Sequence, residues 1–569
     1  MTLATLLARA ALRHPDAEAV IDGPRRLTYH DLDALTASAA RGFAQLGVAK
    51  GDRVLLSLRN RLEHVVAYWA LQKLAAIPVP ANFRLAANEL RYVLDDSAAK
   101  VAVFEASTAD AMLEAANGTP TRLMFVGDRA AAGARLSDGV LSFDGLLGDG
   151  GGGGVGGGAR RSGTPSSRPQ LEELRSGERV TQPRSTPHPS STPVPQPLSV
   201  GTPGESETPS ESDLSLILYT SGTTGRPKGV PRTHKNHYAG ALAHVIQCGY
   251  TWGERTLGAM PLYHTMGIHT LTSMAAINGC FVCQPEWSTT QALELIARER
   301  LTALYLIPTL FWELTHAPEL ARSDVSSVRK LAYAGAPMLA PLTEACAKTF
   351  SPDVFVNHYG STEIYTFSVF PDVQAKPGCA GRPGLHSTLR VVAASAERRV
   401  GPDELAPAGV KGEIIASLQS DEAFAGYWNR PDADAKALRE GWYFTGDMGW
   451  IDADGDLWVA GRVDDMIISG GENIHPVEVE DVLARHALVR DVAVIGEPDD
   501  KWGERIVAFV VPSGALTAEM LDLHCRTSGD LANFKRPRRF VFVAEIPKTA
   551  SGKILRRLLR DGHYTEVRP

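Results

Sequence analysis

The stretch YTSGTTGRPKG, Tyr219–Gly229, sets Thr220, Ser221, Thr223 and Thr224 among Gly222, Gly225 and Gly229, with Lys228 next to its end. Hydroxyls, unhindered backbone N–H groups and one ammonium at this spacing are the makings of a phosphate cradle. It is not a Walker loop, which puts its lysine at a helix N-terminus. Here Pro227 precedes Lys228 and biases Arg226 away from helical dihedrals. The segment therefore reads as a flexible loop after the strand SLILY. Such a loop can wrap a polyphosphate from outside and hold a departing pyrophosphate.

Two other chemistry-bearing patterns read as structure. Cys280 and Cys283 form a C-x-x-C with no second ligand pair in sight, so they read as small side chains in a buried strand. Asp452–Asp456, DADGD, starts like a calcium loop, but its glycine falls too early and the closing glutamate is missing. A turn between the strands MGWI and DLWV is the reading it supports.

The chain has 569 residues, a net charge of −7 and 44% hydrophobic residues. The length allows two or more domains, and the charge gives no nucleic-acid face. No apolar run approaches the roughly 20 residues that span a bilayer. The N-terminal MTLATLLARAALRHPDAEAV reads as a surface helix, and EVRP at the other end is not a retention signal. Six scattered cysteines fit a reducing compartment, so the expected location is cytoplasmic.

Short β-rich runs (RVLLSLR, AIPVPA, KVAVFEA, RLMFVG) alternate with the helical runs EHVVAYWALQKL and AANELRYVLDDS. The rhythm returns with ALYLIP, RKLAYAG and VFVNHYG, which predicts α/β layers around sheets of parallel character. Between the halves, a Gly/Ser/Pro-rich insertion at 149–212 has almost nothing to bury and is expected to be disordered. Past residue 385 the chain becomes β-rich, and after Gly461 a small α/β segment follows, its first helix opened by Pro476. The expected class is α/β: a large N-terminal domain of layered sheets with a β-rich subdomain, residues 1–463, and a small mobile α+β C-terminal domain, 464–569.

YTSGTTGRPKG is followed in order by MPLYHTMG (260–267), NHYGSTE (357–363), GWYFTGD (441–447), GRVDDMIISGGENIHPVEVE (461–480) and PKTASGKILRR (547–557). Six motifs in this order resemble the adenylate-forming superfamily of acyl-CoA synthetases, carrier-loading adenylation domains and luciferases. The resemblance implies two steps. A carboxylate attacks the α-phosphate of ATP to give an acyl adenylate and pyrophosphate, and a thiol then displaces AMP. It implies ATP, Mg²⁺ and coenzyme A as reactants, with Glu363 as the Mg²⁺ ligand, Thr362 on the α-phosphate, Tyr359 against the adenine, and Gly335 and Ala336 among the residues that bind the nucleotide. Asp447 and Arg462 resemble the ribose-binding pair, and a carboxylate suits a diol because it accepts two hydrogen bonds. Lys553 resembles the lysine that bridges carboxylate and nucleotide during adenylation. Asp464 matches the hinge about which the C-terminal domain turns for the second step.

The later motifs, with DDKWGE and LANFKRPRRF, are similar to those of 4-chlorobenzoate-CoA and benzoate-CoA ligases. That subgroup implies coenzyme A contacts at Arg84, Gly470, Gly471, Trp502, Phe534 and Arg536, and a gate at His264. Its acyl pocket maps to His264, Thr265, Met266, Tyr305, Ala334, His358, Gly360, Tyr365 and Thr366. His358, Thr366 and the two tyrosine hydroxyls make this set more polar than a chlorobenzoate site, which points to a hydroxy- or amino-substituted benzoate. The competing reading is that His358 bonds only to protein. Free coenzyme A is favoured over a carrier protein as acceptor; a non-aromatic acid and a homodimer stay open. Small molecules are the expected partners, without nucleic acid or membrane.

Overall fold

The computed structural model describes residues 1–128, 136, 139–147, 208–220, 227–338, 340–394, 398–462, 465–469, 472–528, 530–549 and 552–568. The expected insertion up to residue 207, Ser221, Gly222, Thr223, Thr224, Gly225, Asp464, Gly470 and Gly471 lie outside the described residues.

Two sheets with parallel centres form the bulk of the body. In the smaller, Ile77–Pro80, Arg53–Ser57, Val101–Glu105, Arg122–Val126 and Leu141–Ser142 lie side by side, all parallel. The larger has nine strands among the described residues. Its centre, from Val354–Tyr359 through Lys330–Tyr333, Ala303–Leu306, Arg255–Gly258 and Cys280–Cys283 to Glu18–Asp22, is parallel. Antiparallel strands close both edges. Central parallel strands are covered on both faces and so read as unbroken apolar runs. Val101–Glu105, Ala303–Leu306 and Cys280–Cys283 are buried throughout. The C-x-x-C is thus a strand interior, as its spacing indicated.

The helices between the strands follow their sequence signals. In Leu3–Arg13 the buried residues are Leu3, Leu6, Leu7 and Ala10, one stripe at helical spacing, and the Thr2 hydroxyl accepts the Thr5 N–H at 3.2 Å. Leu62–Lys73 is apolar nearly all round and is buried to match, between other elements. Thr28 and Asp31 close a capping box at the start of Tyr29–Gln45, each side chain accepting the other's backbone N–H at 3.1 and 3.2 Å.

The strand Leu214–Thr220 turns back antiparallel into Lys228–Thr233, with Tyr219 opposite Gly229 and Thr220 opposite Lys228. This corrects the expectation for Lys228. The lysine stands on the returning strand, because once Thr220 and Lys228 pair across the ladder its backbone is fixed.

The β-rich part is an antiparallel sheet of Leu389–Val392, Gly412–Ser417, Trp442–Ile451, Leu438–Arg439 and Leu457–Arg462. Asp452–Asp456 forms the turn between Trp442–Ile451 and Leu457–Arg462. Lys376 Nζ stands among its three carboxylates, 3.3, 2.5 and 2.7 Å from Asp452, Asp454 and Asp456, supplying the positive charge locally.

Beyond residue 466 the apolar side chains build cores of their own, around Ile467, Val479, Val494 and Ile506 on one side and Ile495, Val507 and Phe509 on the other. The sheet there is Glu472–Ile474, Ile467–Ser469, Gly503–Pro512 and Val489–Asp499, with Arg539–Phe542 parallel to Gly503–Pro512. The architecture is α/β in the body with a β-rich addition and a smaller mixed α and β unit at the C-terminal end. Among the described residues, no helix is long and apolar enough to cross a membrane.

Candidate functional site

A cleft of about 2120 Å³ opens where the parallel sheets, the β-rich sheet and the C-terminal unit meet. Its walls carry Thr220, Lys228, Gly335, Ala336, Tyr359, Thr362, Glu363, Asp447, Arg462 and Lys553. They also carry Arg84, His264, Thr265, Met266, Tyr305, Ala334, His358, Gly360 and Tyr365. Residues more than 300 positions apart in sequence thus face one space.

At one end, Asp447 and Arg462 are cross-strand partners. Arg462 Nη1 donates to Asp447 Oδ1 at 2.7 Å and to the Thr445 carbonyl at 3.0 Å. The Tyr359 hydroxyl donates to Asp447 Oδ2 at 2.6 Å. Each carboxylate oxygen keeps a further lone pair, the acceptor pattern that a vicinal diol needs. Gly446 has φ 72°, and a Cβ there would lie 3.0 Å from Arg462 Nη2, so a side chain at this position would strain the turn and crowd the guanidinium.

Glu363 follows the strand Val354–Tyr359 and is 7% exposed. Its Oε1 accepts the Tyr427 hydroxyl at 2.7 Å. Its backbone is held by Arg232, whose Nη1 donates to the Thr362 carbonyl at 2.8 Å, and by Ser361 Oγ, which accepts the Glu363 N–H at 3.2 Å. A single buried carboxylate with one oxygen open, beside a phosphate-seeking lysine, fits Mg²⁺, which takes one or two carboxylates and fills its shell with phosphate oxygens and water. Lys228 Nζ lies 4.1 Å over the Tyr427 ring. Burial lowers its pKa, against the opposing pull of Glu363.

Lys553 is delivered by a tight turn. The Thr549 N–H donates to the Lys553 carbonyl at 2.8 Å, and Thr549 Oγ1 accepts the Lys553 N–H at 3.1 Å. Burial lowers the Lys553 pKa first and Arg462 adds to this, while Asp447, Asp465 and Glu363 oppose. Those partners put the ammonium in the field of the end of the cleft that carries Asp447, Arg462 and Glu363.

At the other end His264 stands at the N-cap of Thr265–Ala276, and burial depresses its pKa to about 4, so the ring is neutral. No hydrogen bond from another described residue holds it, which suits a side chain that moves. Beyond it the wall is hydroxyl-rich. Tyr365 donates to His244 Nδ1 at 2.9 Å or accepts from it, and stacks on His269 with centroids 3.7 Å apart. Tyr305 shares two long contacts of 3.4 Å, with His358 Nδ1 and with the Tyr365 hydroxyl. At Gly360 a Cβ would come within 1.8 Å of the Tyr365 carbonyl, so only glycine lets these two segments approach.

One acyl-pocket expectation is corrected. Thr366 is fully buried behind the wall, where its hydroxyl meets His358 Nε2 at 3.1 Å and its N–H donates to Glu422 Oε2 at 2.9 Å. His358 borders the cleft, with Nε2 3.1 Å from the Thr366 hydroxyl and Nδ1 making only a long 3.4 Å contact to the Tyr305 hydroxyl. The coenzyme A set divides. Arg84 is on the cleft, while Trp502 and Phe534 are on the outer surface, 44% and 46% exposed, away from it. Arg536 is ion-paired with Asp522. In this arrangement of the C-terminal unit those three do not reach the cleft.

The motifs did not point to Arg232, Tyr427 or His244. Arg232 was readable in part: it follows Val230 on the inward face of a short strand, where an arginine needs a buried purpose. The histidines carry a consequence for pH. Burial lowers His64, His234, His264 and His358 to about 4, and His237, His244 and His269 further. Each is neutral in the fold and takes up a proton near 6.5 when unfolded. Their contribution is therefore whole above pH ~6.5 and is lost as pH falls toward 4, at about 1.4 kcal/mol per pH unit per group. Thermal melts are expected to show Tm falling steeply between pH 6.5 and 5. A flat profile over that range would contradict the burial of these rings.

Residues 7–428 match the model of the AMP-binding enzyme family, and residues 478–553 match that of the AMP-binding enzyme C-terminal domain. The chain is 32% identical over 561 residues to a 4-chlorobenzoate–CoA ligase of Arthrobacter sp, covering 98% of this chain and 94% of that one. It is 30% identical over 551 residues to a long-chain-fatty-acid–CoA ligase of Mycobacterium tuberculosis, covering 95% and 94%. Among solved structures it resembles an anthranilate CoA ligase in complex with anthranoyl-AMP, with a TM-score of 0.81 at 26% identity, covering 99% of this chain and 97% of that one. With the motifs in order and their residues on one cleft, the chain belongs to the AMP-binding enzyme family, within the adenylate-forming superfamily.

Proposed function

We propose that this AMP-forming acid–thiol ligase, which uses ATP, Mg²⁺ and coenzyme A, acts on an aromatic carboxylic acid carrying a hydroxyl or amino group. Residues 1–463 would form the adenylation domain and 464–569 the lid. The acid's carboxylate oxygen attacks the α-phosphorus of ATP, and the bond to the bridging oxygen of pyrophosphate breaks. No general base is needed, because the acid is ionised at neutral pH. Lys553 sets a positive charge between two anions that otherwise repel. Lys228 and Thr220 hold the departing pyrophosphate, and Thr362 donates to the α-phosphate. Asp447 and Arg462 hold the ribose. Glu363 would hold Mg²⁺, which neutralises charge on the phosphates when bound. In the second step the coenzyme A sulfur attacks the acyl carbonyl and AMP leaves with the bonding pair. Catalysis here is positioning and charge neutralisation.

The observation that carries the substrate reading is the Tyr305 hydroxyl. Ordinary O–H hydrogen bonds run to 2.7–2.8 Å, and both contacts of Tyr305 are stretched to 3.4 Å. A ring substituent on the acid can take the place of either. An alkyl chain offers nothing in return, although the likeness to a fatty-acid ligase keeps that reading as the rival. The test is AMP release with Mg-ATP across benzoate, 4-hydroxybenzoate, 2-aminobenzoate and octanoate, each with and without coenzyme A. A substituted benzoate is expected to lead, and turnover is expected to require coenzyme A. Tyr305→Phe is expected to cut its advantage over benzoate by about tenfold, as one lost hydrogen bond would. Octanoate in first place would overturn the reading.

A further inference from the structure

Tyr427 touches both charged groups that face the phosphates. Its ring lies under the Lys228 ammonium at 4.1 Å, and its hydroxyl donates to Glu363 Oε1 at 2.7 Å. Lys228 comes from the hairpin and Glu363 from the turn after Val354–Tyr359, so no local geometry fixes one against the other. Opposite charges this near attract, and Glu363 does act electrostatically on Lys228. Nevertheless, among the described residues, the two form no ion pair with each other.

We propose that Tyr427 is a positioning residue that keeps Lys228 and Glu363 apart and in register, so that both stay open to the nucleotide's phosphates and its Mg²⁺. The ring occupies one face of the ammonium, where a cation is attracted to the aromatic quadrupole. The phenol occupies one carboxylate oxygen and leaves the other. Without this spacer, lysine and carboxylate collapse onto each other, cancel, and close the site to anion and cation alike.

The tyrosine is itself braced. Its N–H donates to Asp434 Oδ1 at 2.8 Å, and Phe424 meets its ring edge-on with centroids 4.9 Å apart. The next residue ties it to the hairpin. The Trp428 N–H donates to the Gly229 carbonyl at 2.9 Å, and Trp428 Nε1 donates to the Asp96 carbonyl at 3.0 Å. The Tyr219 hydroxyl donates to the Asp96 carboxylate at 2.6 Å. One turn thus joins Tyr219, Lys228's neighbour Gly229 and Glu363 into a single frame.

The test needs no acid and does not depend on which acid the enzyme takes. The full chain is titrated calorimetrically with AMP, with a non-hydrolysable ATP analogue without Mg²⁺, and with that analogue over a series of Mg²⁺ concentrations. Tyr427→Phe keeps the ring and loses the phenol; it is expected to raise the Mg²⁺ concentration for half-maximal binding several-fold. Tyr427→Leu loses both contacts and is expected to weaken the analogue by about tenfold, with AMP affinity within about twofold of wild type. Adding Glu363→Gln to Tyr427→Leu removes the carboxylate that captures Lys228. This double variant is expected to recover most of the affinity for the Mg²⁺-free analogue. A merely structural role would weaken AMP and analogue together, and Glu363→Gln would restore nothing; either result overturns the proposal. Should Tyr427→Leu not fold, an unchanged Mg²⁺ requirement in Tyr427→Phe is enough to overturn it.

Discussion

Lys553→Ala is expected to slow acid-dependent ATP–pyrophosphate exchange by about 10²–10³-fold, the usual loss when one preorganised charge is withdrawn from a transition state. Conversion of preformed acyl adenylate and coenzyme A to thioester should change by less than about threefold. The asymmetry follows from where the charge is needed. During adenylation two anions are pressed together, and Lys553, delivered by the Thr549–Lys553 turn, lies in the field of Asp447 and Glu363 on the same cleft. In the thiol step one of those anions, the carboxylate, has become the uncharged acyl group of a mixed anhydride. A pH signature accompanies this. Burial lowers the Lys553 pKa from its ordinary 10.5, so the ammonium begins to lose its proton below that value. Adenylation should fall as pH rises through this shifted range, and thioester formation should not follow it. Equal losses in both half-reactions would remove Lys553 from the adenylation step.

Asp447→Ala is expected to weaken AMP binding by about a hundredfold or more, the loss of two hydrogen bonds to a charged acceptor. It should also lower stability by about 2 kcal/mol, under the full cost of breaking a wholly buried pair. The two effects are separable. Asp447 is the carboxylate partner of Arg462, whose Nη1 lies 2.7 Å away, and it also accepts the Tyr359 hydroxyl. The single variant strands Arg462. The double variant Asp447→Ala, Arg462→Met removes the stranded charge and should recover most of the stability without recovering AMP affinity. Recovery of AMP binding along with stability would show that Asp447 serves the fold and not the ribose.

Much of this architecture could be read from the chain. Strands such as Val101–Glu105 and Ala303–Leu306 announce themselves as apolar runs between helical stretches, because a parallel strand is covered on both faces. The motif residues converge because each motif sits at the end of a strand or in a tight turn, where the backbone points side chains into a common cleft. What stayed hidden depends on partners that sequence spacing does not encode. The pairing of Thr220 with Lys228 moved the lysine from an expected loop to a strand. Thr366 and His358 were both expected in the acyl pocket, but His358 borders the cleft and Thr366 does not; which polar atom is open depends on which are already bonded, across segments as distant as Tyr305 and Thr366. Tyr427, tucked in the unremarked run FAGYWN, could not be tied to Lys228 and Glu363 without the fold that joins them.

Glu478 belongs to the C-terminal unit and lies 3.6 Å from Lys411, which leads into the strand Gly412–Ser417 of the β-rich sheet, yet it also holds Lys535 of its own unit at 2.7 Å. Lys411 in turn sits 5.7 Å from the Trp450 ring. In the proposed rotation of the C-terminal unit for thiol transfer, the carboxylate would travel with a cation of its own and the lysine left behind would keep an aromatic face. Parting would strand no charge at this contact. In that rotation the contact would act as a catch that releases at little cost, leaving the balance between the two proposed lid positions to the ligands, above all to whether Lys553 still has two anions to stand between.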